Sequence, residues 1–288
     1  MVEVDDFGRF ETAWCPGCGN FGVLRAVKKA LANAGIAPRE TLFVSGIGQA
    51  AKTPHYLRCN FFNGLHGRGL PVATAAKIAN PSLHVIYESG DGCTYAEGGN
   101  HFLAAVRRNP GITAVVHDNQ VYGLTKGQAS PTSDPGFATK AQPGPEGVVW
   151  RPFNPLATAI LHGVSFAARG YAGRLEHLSG VLERAFLVDG FALVDVLQPC
   201  PSFNHKNSFG WFNERVRELG PEHDPTDRDA AIALTESGEE EIPLGVFYEN
   251  REAKPFEKRH PGAAGTALAL AGRDTDRQAV REMMESFF

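Results

Sequence analysis

At 288 residues the chain is long enough for one large α/β domain with an appendage. Its 43% hydrophobic and 21% charged residues are ordinary for a globular protein, and a formal charge of −4 leaves no cationic surplus to hold a nucleic-acid backbone or an anionic membrane. No apolar run approaches the roughly 18–20 residues that span a bilayer, and the acidic start Met1-Val-Glu-Val-Asp-Asp6 lacks the pattern of a signal peptide, so a cytoplasmic location is expected.

Phe21, Leu24, Val27 and Leu31 recur at three- and four-residue spacing and predict a helix over about 20–34, with Asn20 as its cap and Gly35 as its stop. A short β-type run, 41–44, leads into Ser45-Gly-Ile-Gly48. A helix over 72–79 closes at Asn80-Pro81, and an apolar strand over 83–87 runs into Gly90-Asp-Gly92. A helix over about 98–108 and a strand over 112–116 follow. From Tyr122 to Gly147 the chain is rich in Gly, Pro, Ser and Thr and too long for a plain connector, so it reads as a functional loop. Helix 156–162, strand 164–168, helix 175–187 and strand 192–197 restore the alternation. Strands alternating with helices predict a doubly wound, mostly parallel α/β sheet with ligands at the carboxyl ends of its strands. Beyond Pro201 the pattern breaks into charged, Pro-bearing segments, expected to form an arm that embraces a partner.

Five cysteines include a C-x-x-C pair, Cys15 and Cys18. In a reducing compartment such a pair points to metal or redox chemistry rather than a structural disulfide. Asp91 and Asn119 each follow a predicted strand. An Asp-Gly after a strand is by itself only a turn. Paired with an Asn after the next strand, however, it places a carboxylate, an amide oxygen and the Val121 carbonyl where one Mg2+ could hold a diphosphate. Gly90 and Gly92 would let the backbone approach the phosphates.

These residues sit within a wider set: Trp14-Cys-Pro-Gly-Cys-Gly19, Leu65-His-Gly-Arg-Gly69, the stretch from Tyr122 to Thr132, and Gln198-Pro-Cys-Pro-Ser-Phe-Asn204. Over roughly residues 10–250 the chain resembles the β subunits of 2-oxoacid:ferredoxin oxidoreductases, in particular the two-subunit, 2-oxoglutarate-type branch. The resemblance implies a thiamine-diphosphate-binding fold over residues 1–200, holding the diphosphate half of the cofactor, and a C-terminal extension over 201–288. It implies Asp91, Asn119 and Val121 as Mg2+ ligands, and Gly90, Gly92 and Cys93 against the phosphates. Tyr122, Gly123 and Leu124 would complete the binding loop. Ile47, Gly48 and His66 would lie near the thiazolium and aminopyrimidine, and Lys126 near the reacting centre, where a cation would meet the substrate carboxylate. His66 read alone is also a capped loop histidine, and Lys126 a solvated loop lysine. Further implications are oxidative decarboxylation of a 2-oxoacid, with coenzyme A and ferredoxin, in an α2β2 assembly whose α subunit brings the glutamate for the aminopyrimidine.

One position departs from the pattern. A 4Fe-4S cluster takes four thiolates, and Cys15, Cys18 and Cys200 match three of the family's positions, whereas the fourth is Gln49. Three outcomes are open: a cluster on three cysteines with water, an unusual protein ligand or a partner residue at the fourth corner; recruitment of Cys59; or loss of the cluster, leaving a zinc site or none. The expectation taken forward is a cluster on Cys15, Cys18 and Cys200. Two rivals stand beside it, a non-redox thiamine-diphosphate decarboxylase or ligase and a catalytically idle structural or zinc-binding subunit.

Overall fold

The computed structural model describes residues 1–238, 240–259 and 276–287. Its strands are β1 (Thr41–Ser45), β2 (Asn60–Asn63), β3 (His84–Gly90), β4 (Ile112–Asp118), β5 (Val121–Tyr122), β6 (Gln128–Ala129), β7 (Phe166–Tyr171), β8 (Ala192–Leu197), β9 (Val216–Glu218) and β10 (Ile242–Glu249). Eight of them form one sheet in the order β2-β1-β3-β4-β8-β7-β10-β9, and β5 and β6 form a separate hairpin. Every neighbouring pair in the large sheet is parallel except β7–β10. The doubly wound, mostly parallel sheet expected from the alternation is present.

The main helices are α1 (Asn20–Asn33), α2 (Gly69–Ala79), α3 (Gly99–Arg108), α4 (Pro155–Leu161), α5 (Leu175–Phe186), α6 (Phe209–Arg215), α7 (Arg228–Thr235), α8 (Phe256–Arg259) and α9 (Arg277–Glu285). Side chains alternate across a strand, and here they divide the core in two. Ile86, Val115 and Val194 face α1 and α5 on one side, with Val27, Leu31, Leu178 and Leu182. Tyr87, Val116 and Leu193 face the other layer, with Leu70, Phe102, Leu156 and Ile160. No described helix is long and apolar enough to cross a membrane.

Two expectations are corrected. Asn20 does not cap α1: Gly19 occupies the cap position, and Asn20 is the first helical residue. Its amide is drawn inward instead, where its Oδ1 lies 2.8 Å from His117 Nδ1, while His117 Nε2 lies 2.7 Å from Glu88 Oε1. All three residues are buried, and in a dry interior polar groups that find partners are held there.

The chain beyond Pro201 does not simply extend away as an arm. β10 returns to the sheet, pairs antiparallel with β7 and carries the parallel β9 on its outer edge. Leu244 and Phe247 are fully buried, which is what draws this segment back. α9 alone stands exposed along its whole length, and residues 260–275 and 288 of the expected arm lie outside the described residues.

α1 is seated by a close backbone approach. A Cβ on Gly22 would stand 2.2 Å from the Ala172 carbonyl oxygen, just past β7. Gly22→Ala is expected to destabilise the fold by about 1–3 kcal/mol, seen as a lower urea midpoint at unchanged m-value; an unchanged midpoint would show that the helix moves aside freely.

Candidate cofactor site at the strand ends

β3, β4 and β8 end side by side. Gly90 pairs with His117, His117 with Val196, and Asp118 with Leu197, so Asp91, Asn119 and Gln198 are each the first residue past one of these neighbouring strands, with Asn119 level with Gln198 and Asp91 level with Asp118. After β3 the chain turns at once into a π-helical turn, Gly92–Glu97, a geometry enriched at functional sites.

Asp91 opens that turn and is 2% exposed. Its Oδ2 accepts from the Thr132 hydroxyl at 2.7 Å, and Asp118 Oδ1 lies 2.7 Å from the same hydroxyl. Burial pushes the Asp91 carboxyl up to about 6; hydrogen bonds from Ser130, Thr132 and the Gly92 N–H oppose that, and the nearby Asp195 carboxyl adds to it. Asp118 is pushed up too, by burial and by the Asp195 and Asp91 carboxyls, against the pull of Arg169. Asp195 accepts from Tyr95 Oη at 2.7 Å. Asp91 and Asp118 thus meet at one hydroxyl with the Asp195 charge felt by both, and the groups that act most strongly on Asp91 include no cationic side chain. A divalent cation fits that deficit.

Asn119 supplies the adjoining amide. Its Oδ1 accepts from the Val121 N–H at 3.1 Å and keeps a second lone pair, while its Nδ2 donates to Gln198 Oε1 at 3.2 Å. Among the described residues no three His, Cys, Asp or Glu side chains gather to hold a metal ion by themselves. One carboxylate, one amide oxygen and one carbonyl match the way Mg2+ is held when phosphates complete its shell.

The loops above this row are tied together by Cys93. Its Sγ accepts from the Ile47 N–H at 3.4 Å and the Gly67 N–H at 3.3 Å, so the thiol links the Ile47-Gly48 loop and the His66 loop to the π turn. Gly48 has φ +115, a conformation that favours glycine. Gly92 also makes room for a side chain: a Cβ there would stand 2.2 Å from the Tyr122 ring. Tyr122 leads into the β5–β6 hairpin, with Gly123 and Leu124 in its turn and Lys126 at φ +68 near its end. Phe203 packs under Gly127 and Asn204 Nδ2 donates to the Asn119 carbonyl at 3.1 Å, which is how the Gln198–Asn204 segment supports the hairpin. Leu65, His66, Leu124 and Lys126 are all exposed.

Cys15 is exposed, and Cys18 and Cys200 are half-buried. The Cys18 thiol is pushed up to about 11, chiefly by burial and further by Cys200 and Cys15; the Asn20 N–H and the Gln198 amide oppose the rise. Cys15 and Cys200 are therefore near enough to act on the Cys18 thiol. The Gln49 carbonyl accepts from Nε1 of Trp14, the residue before Cys15, at 2.8 Å, and its side-chain Oε1 is buried with no hydrogen-bond partner. The Cys15, Cys18 and Cys200 thiols thus share one neighbourhood without forming a closed metal-ligand group among the described residues. Cys59 keeps to the core by β1, its thiol pushed up to about 12 by burial and by Glu88, with the Phe43 backbone as its hydrogen-bond partner.

Asp118, Thr132, Asp195 and Gln198 are site residues that the sequence reading gave no role. An aspartate inside the apolar run Ala192–Leu197 was the signal available for Asp195.

A sheet of this order, with a carboxylate and an amide at adjacent strand ends, agrees with the thiamine-diphosphate-binding class that the sequence resembles. The comparisons agree. Residues 43–196 match the family described as "Thiamine pyrophosphate enzyme, C-terminal TPP binding domain", and residues 200–265 match the family of the C-terminal part of the pyruvate ferredoxin oxidoreductase β chain. The chain is 42% identical over 259 residues to the 2-oxoacid:ferredoxin oxidoreductase subunit beta of Saccharolobus solfataricus, covering 85% of this chain and 84% of that one. It is 40% identical over 194 residues to the 2-oxoglutarate oxidoreductase subunit KorB of Mycobacterium tuberculosis, covering 67% and 52%. A structure of 2-oxoglutarate:ferredoxin oxidoreductase from Magnetococcus marinus, with 2-oxoglutarate, coenzyme A and succinyl-CoA bound, superposes with a TM-score of 0.89 at 31% identity over 98% of this chain and 96% of that one. The chain belongs to the β subunits of the 2-oxoacid:ferredoxin oxidoreductases.

Replacing Asp91 by Ala is expected to abolish Mg2+-dependent retention of thiamine diphosphate through gel filtration of the assembled enzyme. Cofactor retained at the unsubstituted level would remove Asp91 from the site.

Proposed function

We propose that this chain, together with an α subunit, performs the coenzyme A-dependent oxidative decarboxylation of a 2-oxoacid, 2-oxoglutarate foremost, with ferredoxin as electron acceptor. The observation that carries the reading is that Asp91 and Asn119 leave the ends of adjacent strands while Gln198, at the end of the next, bonds both Asn119 and Cys18. The relatives named above support the substrate class.

Asp91, Asn119 and the Val121 carbonyl would hold Mg2+. Ser130 and Thr132 fix the Asp91 carboxyl, and the loop amides tied by Cys93 keep Ile47, Gly48 and His66 over the site. Thiamine diphosphate, when bound, supplies the carbanion that adds to the 2-oxo carbon and a ring that takes up the electron pair left as CO2 departs. Lys126 on its hairpin offers a cation for the substrate carboxylate. Cys15, Cys18 and Cys200 would hold an iron–sulfur cluster that passes the electrons outward singly.

The exposed apolar side chains suit a partner. Phe61 and Phe62 on the edge strand β2 are each 49% exposed, Leu65 71% and Leu124 54%. Apolar side chains grouped on an edge mark a surface to be covered; here the α subunit, in an α2β2 assembly, would bring the aminopyrimidine-binding half and its glutamate.

The reading is tested with the assembled complex, 2-oxoglutarate, coenzyme A and ferredoxin. Succinyl-CoA and reduced ferredoxin are expected together; an aldehyde or a condensed product with the acceptor left oxidised would overturn it. Gln49→Cys is expected to slow bleaching of the cluster's absorbance in air severalfold, because a fourth thiolate closes the open corner. An unchanged rate would show that the fourth corner is already closed by another ligand.

A further inference from the structure

Gln198 is 1% exposed and every hydrogen-bonding atom of its amide is engaged. Its Oε1 accepts from Asn119 Nδ2 at 3.2 Å. Its Nε2 donates to the Pro199 carbonyl at 2.7 Å and to Cys18 Sγ at 3.6 Å. Its backbone N–H donates to the Asp118 carbonyl at 2.8 Å, which continues the β4–β8 ladder one residue past the sheet. One short side chain therefore touches both the amide proposed to face the cation and a sulfur of the cysteine trio.

The orientation is fixed by chemistry. Turned over, the amide would set its oxygen against the Pro199 carbonyl and its N–H groups against the Asn119 N–H groups, two repulsions in place of two hydrogen bonds. Asn119 is oriented in turn: with Nδ2 committed to Gln198, its Oδ1 is held toward the Val121 N–H and the cation side. Space for Gln198 comes from Gly19, the last residue of the Cys-Pro-Gly-Cys-Gly run. A Cβ there would lie 2.8 Å from Gln198 Cγ and 2.9 Å from its Nε2.

We propose that Gln198 is a positioning residue that joins the two centres: its amide oxygen orients Asn119 for the cation, and its N–H polarises the Cys18 sulfur. The sulfur arm rests on the cluster reading given above; the Asn119 arm rests on the cofactor reading alone. An N–H donated to a cluster sulfur stabilises the reduced, more negative state and raises the potential. An outer residue that orients a metal ligand controls affinity in the same way.

The test uses the assembled α–β complex with Gln198→Met, which keeps the bulk and loses both arms, and Gln198→Glu, which keeps only the acceptor for Asn119. Thiamine diphosphate is titrated calorimetrically at saturating Mg2+, and the cluster is titrated potentiometrically with its EPR spectrum recorded. Gln198→Met is expected to weaken cofactor binding by about 10–100-fold, lower the cluster midpoint and change its EPR line shape. Gln198→Glu is expected to retain cofactor affinity while lowering the midpoint. Gly19→Ala, which displaces Gln198 without changing it, is expected to reproduce both losses. Unchanged affinity and midpoint in a folded Gln198→Met complex would overturn the proposal, as would Gln198→Glu losing the cofactor as fully as Gln198→Met. A parent complex without iron would overturn the reading on which the sulfur arm stands, and the affinity comparison would still decide the Asn119 arm.

Discussion

The parallel pairing of β3, β4 and β8 in one fixed register is the constraint on which the site depends. A slip of one residue along any of these strands would turn its side chains to the opposite face and separate Asp91, Asn119 and Gln198. The register is held where slipping costs most. Ile86, Val115 and Val194 are locked into one layer and Tyr87, Val116 and Leu193 into the other. Beneath the strand ends the buried Asn20–His117–Glu88 chain ties α1 to β4 and β3, so helix placement and strand placement are set together.

That frame presents three carboxyls, from Asp91, Asp118 and Asp195, to a dry interior. Hydroxyls, the Gly92 N–H, Tyr95 and Arg169 offset part of the cost, yet burial still pushes all three upward. Proteins keep such unfavourable clusters where function requires them. In the proposed function a divalent cation carried in with a diphosphate would offset this one. The second proposed centre rests on Cys18, whose thiol feels both Cys15 and Cys200.

Much of this was legible in the sequence because the strands before residue 200 are apolar, bounded by Gly or Pro, and followed by chemistry-bearing residues. β3 and β4 announce themselves as apolar runs ending in Gly-Asp-Gly and Asn-Gln-Val-Tyr-Gly. β10 was not legible as a strand: Pro243 and Gly245 interrupt Ile242–Glu249, and only the open antiparallel edge of β7 makes room for it. Asn20 misled because Asn at a helix start reads as a cap, while its partner His117 lies far along the chain. Gln198 stood within a recognisable motif, but its role needs Asn119, Gly19 and Cys18 to be brought together in space. The bond from Thr132 to Asp91 spans a long loop whose composition shows that it does something without showing what it touches.

Iron and acid-labile sulfide per chain, measured with an EPR spectrum on the anaerobically purified complex, test most directly whether an electron exit stands beside the cofactor site. About four irons and four sulfides with a reducible cubane signal are expected, with the corner opposite the three cysteines left without a thiolate. Complete absence of iron would contradict the account, leaving a decarboxylation site with no path for its electrons.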